Sequence, residues 1–136
     1  MKTSTSEFES NALVDGASKR SRLGASVTTW TFAVLMGVSG IGYIAGAAPA
    51  LAAAHDLGYP VYFVKLLGFA KLVGAVALVG PRVRVLREWA YAGFTFDLIA
   101  AAVSHAASGD AKHIPLPIVM LALLLTSYSL RRRVSV

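Results

Sequence analysis

YPVYFVKLLGFAKLVGAVALVGPR, Tyr59 to Arg82, decides how the rest of the chain is read. A helix of ~20 residues rising about 1.5 Å each spans the ~30 Å hydrocarbon core of a bilayer, and this run has that length. Yet it carries Lys65 and Lys71 inside it. Two ammonium groups at such depth require either an inward-facing polar setting or a stem long enough to reach the interface.

The composition makes the membrane reading general. Of 136 residues, 56% are hydrophobic, and the mean hydropathy is +0.63. That is more apolar surface than one soluble core of this length can bury. Thirteen Lys and Arg face seven Asp and Glu, a net charge of +6. The basic residues fall in short clusters between apolar runs, which suits anionic lipid head groups and topology rather than nucleic acid. With no cysteine, disulfides, thiolate nucleophiles and Cys-ligated metals are excluded. No hydrolase triad, metal cluster or phosphate loop stands out, because His55, His105 and His113 are scattered over loops and a helix end.

The predicted organisation is a polar N-terminal segment, 1–22, followed by one domain, 23–136. "MKTSTSEFESNALVDGASKRSR" has no sustained periodicity and reads as a flexible tail or partly ordered lead-in. Four apolar spans follow at 26–48, 61–79, 88–107 and 114–130. A secretory signal ending near "AAPALAAAHD" is disfavoured, since the apolar run before it exceeds the usual signal core and is broken by Gly and Ser. Short links between the spans make neighbours antiparallel. The basic residues then alternate: Lys2, Lys19, Arg20 and Arg22, then Arg82, Arg84 and Arg87, then Arg131, Arg132 and Arg133, against Lys112 alone in the other two connectors. The fold expected is therefore an all-α integral membrane four-helix bundle of up-down topology, with both termini cytoplasmic. Trp30, Trp89, Tyr91 and Tyr128 fall near the inner interface, and Tyr59 and Tyr62 near the outer one. Gly42-x-x-x-Gly46, with Gly68 and Gly74, reads as small-residue helix packing.

Depth places the charges. Lys71 lies ~16 Å along its helix from Pro60, and Asp97 ~14 Å along the next from Glu88, so both reach the midplane on adjacent helices. A lone charge there costs about 2.5–3.5 kcal/mol or more, which favours pairing Lys71 with Asp97. His105 comes level with Lys65 near the outer surface. Asp97, Ala101, Ser104 and His105 form one helical stripe, whereas Lys65 and Lys71 point about 120° apart. Lys71, Asp97, Lys65 and His105 are thus the candidates for ligand binding or proton handling. The residues themselves name no catalytic group.

"GYPVYFVKLLGFAKLVGAVALV", a short basic link, and "LREWAYAGFTFDLIAAAVSHAASGD" closely resemble the DoxX-like family of small four-helix bacterial membrane proteins. The resemblance is strongest over 57–110 and extends in layout over 26–130. It implies a multi-pass protein of the cytoplasmic membrane and a link to quinone-dependent redox systems through a redox partner protein. The absence of cysteine departs from any thiol-based form of that chemistry. A cavity lined by Lys71, Asp97, Phe69, Phe94 and Phe96 would suit a quinone head group. The alternatives are a structural or assembly partner without a ligand, and a small proton-coupled transporter, which with four spans needs a homo-oligomer.

Overall fold

The computed structural model describes residues 3–80 and 83–134; Lys2 and Arg82 of the charge pattern lie outside them. The described residues form five helices and no strand: α1 (Thr3–Ala45), α2 (Ala48–Asp56), α3 (Val61–Val79), α4 (Arg84–Ala107) and α5 (Pro115–Val134). Helix α3 coincides with the expected second span. Helix α4 starts four residues early, and α5 runs past Leu130 to place Arg131, Arg132 and Arg133 in its last turn. Positive charge is favourable at that end of the helix dipole.

Two features depart from expectation. The polar segment expected as a tail or lead-in forms the first turns of α1, with Ser6 to Arg20 all exposed. Once a helix is nucleated, each further residue adds a hydrogen bond for one fixed backbone unit, so it extends without an apolar face. Gly16 within it costs only about 1 kcal/mol relative to alanine. The first connector also contains a helix, α2. Its alanines are the strongest helix formers, and Pro49 sits in the first turn, where its missing N–H is not needed.

Sharp turns follow α1, α2 and α4 by one device. At Gly46 (φ +70°), Gly58 (φ +75°) and Gly109 (φ +71°) the chain enters the left-handed region. At α1 the Ala47 N–H reaches back to Gly42 O (2.9 Å), and at α4 the Asp110 N–H reaches His105 O (2.9 Å). These bonds satisfy carbonyls left open at a helix end.

Four of the helices meet around Phe32, Met36, Leu78, Tyr91, Phe94, Leu98, Met120 and Leu124. The rings of Phe32 and Phe94 pack edge to face with centroids 5.1 Å apart. Helix α3 lies against α1 in the opposite direction, because Gly40 meets Gly68 while Gly37 meets Ala75. A Cβ on either Gly40 or Gly68 would come within 2.7 Å of the other's carbonyl oxygen. The closest approach is therefore at Gly40, not at the expected Gly42-x-x-x-Gly46, whose second glycine ends the helix instead.

Helices α1 and α3 are each long and apolar enough to cross a membrane. Helices α4 and α5 fall short on that measure, since α4 includes Asp97 and His105 and α5 ends in three arginines. All four long helices expose large apolar residues, among them Val38, Phe69, Val76, Phe96, Val103, Leu116 and Val119.

Candidate functional site

The expected pair forms. Lys71 Nζ donates to Asp97 Oδ2 at 2.5 Å, and the two side chains are only 9% and 14% exposed. Helix α3 supplies the lysine, α4 the aspartate, and α1 the rest of the setting. Nζ lies 4.0 Å from Met36 Sδ and 5.5 Å from the centre of the Tyr43 ring. Gly40 makes room for this: a Cβ there would stand 3.2 Å from Lys71 Cβ. The sequence reading missed Met36 and Tyr43. Their signal was position, since both lie on the face of α1 that also carries Gly40, at spacings of 4 and 3.

Two cavities border the pair. One, of about 430 Å³, lies between α3 and α4 and is lined by Lys71, Asp97, Phe69, Gly74, Trp89 and Phe94. The other, of about 380 Å³, lies under α2 and is lined by Tyr43, Tyr59, Phe63, Phe96 and Asp97. Leu67, Gly93 and Asp97 belong to both. Phe69 and Phe94 thus flank the pair in the first cavity, while Phe96 belongs to the second. The first cavity is otherwise apolar apart from the Trp89 indole, whereas the second also holds the hydroxyl-bearing rings of Tyr43 and Tyr59.

The other two candidates lie elsewhere. Lys65 is exposed and forms no ion pair among the described residues. His105, at the end of α4, turns to the loop that follows: its Nδ1 is 3.0 Å from Asp110 Oδ2. His113 Nδ1 is 2.6 Å from the same oxygen. The His113 ring above all, and His105 as well, hold the Asp110 carboxyl below its ordinary 3.8. Turn geometry at Gly109 folds this nine-residue stretch, 105–113, so that the three side chains form a cluster, which His55 does not join. Of the expected polar stripe on α4, Ser104 pairs with the Tyr59 hydroxyl at 2.6 Å.

At the opposite end, a hydroxyl chain ties three helices. Thr29, fully buried, donates to Ala25 O at 2.6 Å. Its oxygen accepts from Arg131 Nε at 3.0 Å. With the Thr29 proton so used, Ser127 donates to Thr29 (2.6 Å) and Tyr91 donates to Ser127 (2.9 Å). Tyr91, expected at the interface, is turned into the core by this bond. Beside it a cavity of about 530 Å³ gathers Arg22, Arg84, Arg87, Arg131 and Arg132 around Glu88 and Tyr128. The sequence showed these arginines as three separate clusters, and the fold joins them.

No significant match exists among curated proteins or among solved structures. The profile of the DoxX-like family matches residues 27–127. That stretch holds the Lys71–Asp97 pair, the glycine contact between α1 and α3, and the turn carrying Asp110. The chain belongs to the DoxX-like family.

Proposed function

We propose that the protein is a multi-pass, up-down four-helix protein of the cytoplasmic membrane, with both termini in the cytoplasm, serving a membrane redox system as a quinone-binding accessory subunit. In this reading α1, α3, α4 and α5 are the spans, and 23–136 is one membrane domain. Exposed apolar side chains on all four helices support it. So does the gathering of arginines at the end of the molecule that the positive-inside rule assigns to the cytoplasm. There their guanidinium groups meet anionic lipid head groups.

One observation carries the ligand reading: two mostly apolar cavities meet at Asp97, which is ion-paired with the buried Lys71. A quinone has an apolar tail soluble in the bilayer and carbonyl oxygens that accept hydrogen bonds. Lys71 Nζ would donate to one carbonyl while Asp97 holds the ammonium in place, and Phe94 and Trp89 would flank the ring. When bound, the quinone supplies two-electron carrier chemistry. The residues here bind and orient it, and a partner protein exchanges its electrons.

A structural role for the pair has its own support. Lys71 is satisfied at 2.5 Å and enclosed by Met36 and Tyr43. The readings separate by solvent extraction and mass spectrometry of the purified protein, with Lys71→Met and Asp97→Asn variants that still fold. Stoichiometric quinone in the wild type, lost from both variants, supports the site. If nothing co-purifies and an added short-chain quinone fails to bind, the quinone reading is rejected and the pair only sets helix register.

A further inference from the structure

We propose that the turn between α4 and α5 is a divalent transition-metal site, with His105, Asp110 and His113 as ligands and Zn²⁺ as the ion its donors suit. The ligand atoms of these three residues all lie within 4.8 Å of one another. Both imidazoles present Nδ1 to one carboxylate oxygen, at 3.0 and 2.6 Å. Their rings lie side by side, centroids 5.5 Å apart and tilted by 36°. Two imidazole nitrogens and a carboxylate oxygen match the ligand types of zinc and its neighbours, and poorly match Mg²⁺ or Ca²⁺, which favour all-oxygen shells.

The geometry is close to what an ion needs. Zinc holds nitrogen and oxygen ligands at about 2.0–2.2 Å, so tetrahedral ligand atoms stand roughly 3.3 Å apart. The two carboxylate–imidazole separations differ from that by less than 1 Å, a change that side-chain rotation supplies. The backbone already holds the three residues in register. Gly109 turns in the left-handed region, the Asp110 N–H bonds to His105 O, and the His113 N–H bonds to Asp110 O at 3.3 Å.

Access and a remaining coordination position are both present. The side chains of His105, Asp110 and His113 are 17%, 35% and 64% exposed, graded from the helix end to the surface. They line one wall of a cavity of about 520 Å³, whose other wall is α2 with Asp56. Three protein ligands leave a fourth position for water. None of the three ligands lines a Lys71–Asp97 cavity, although the cavity beside them adjoins the second of those through Ala53 and Leu57. The proposal does not rest on what those cavities bind.

The test is titration of the purified protein, with any affinity tag removed, with ZnCl₂ by calorimetry and with Co²⁺ by visible absorption. The wild type should take up one ion per chain and show the ligand-field bands of a low-coordinate Co²⁺. His105→Gln, Asp110→Asn and His113→Gln should each weaken binding by about tenfold or more. His55→Gln, at an exposed side chain of α2 that does not line the cavity, should leave it unchanged. Since His113 is mostly exposed, its variant folds as the wild type does, which thermal unfolding without metal verifies. No saturable uptake by the wild type, or uptake unaffected by His113→Gln and Asp110→Asn, overturns the proposal and leaves two histidines hydrogen-bonded to one carboxylate.

Discussion

Replacing Lys71 and Asp97 singly and together tests whether the buried pair acts as one unit. At 2.5 Å and an effective dielectric constant of about 20, the two charges attract by roughly 7 kcal/mol. Against this stands a desolvation cost of several kcal/mol for each ion, since the side chains are 9% and 14% exposed. The net contribution of the pair is therefore small, but the contribution of either partner, given the other, is large. Lys71→Met leaves an uncompensated carboxylate, and Asp97→Leu leaves an uncompensated ammonium; each should cost about 3–5 kcal/mol. The double variant loses attraction and desolvation together and should lie within about 2 kcal/mol of the wild type. Unfolding by SDS in bicelles, followed by the fluorescence of Trp30 and Trp89, measures all four corners of the cycle. If the double loss equals the sum of the single losses to within about 0.5 kcal/mol, the residues are independent and the reasoning fails.

Gly40→Ala should destabilise the protein by about 1–3 kcal/mol, because the new Cβ meets Gly68 O at 2.7 Å and forces α1 and α3 apart. Gly37→Ala, whose Cβ would meet only Ala75 Cβ at 4.0 Å, should be close to neutral; equal melting temperatures for the two variants would remove the special status of Gly40. Thr29→Val takes away the acceptor used by Ser127 and by Arg131 Nε at a fully buried position, a loss of about 1–3 kcal/mol readable by thermal unfolding. Wild-type stability in that variant would show that the hydroxyl chain contributes nothing. Gly16→Ala, with open space around the new methyl, should raise the helicity of the first turns of α1 by up to about 1 kcal/mol of propensity. Circular dichroism of the full chain reads this, and unchanged or lower helicity would refute it.

Much of the architecture was legible because it depends on neighbours along the chain. Pro60 and Gly80 bracket an apolar run interrupted only by two lysines and two glycines, and its bounds match α3 to the residue. The depths of Lys71 and Asp97 followed from counting residues at a fixed rise, and the cost of isolated charge made them partners. The same local reasoning failed where it used the absence of a pattern. The polar start of α1 and the alanines of α2 lack an apolar stripe, yet nucleation next door and intrinsic propensity suffice for helix. The partner of His105 was not legible in the sequence. The level of this histidine in the chain matched Lys65, but the reversal at Gly109 delivered Asp110 to it first.

From the sequence alone came the helical class, the apolar runs that form the long helices, and the pairing of Lys71 with Asp97. Each follows from a periodicity, a length or a desolvation cost that one chain carries with it. Tertiary structure decided which glycine lets two helices touch, which side chains of α1 enclose Lys71, and how three separate arginine clusters share one cavity. It also turned His105, Asp110 and His113 toward one another. These depend on where helices cross and how turns reverse. A fraction of an ångström at Gly40, or one positive φ at Gly109, changes the outcome, and neither is written in a hydropathy pattern.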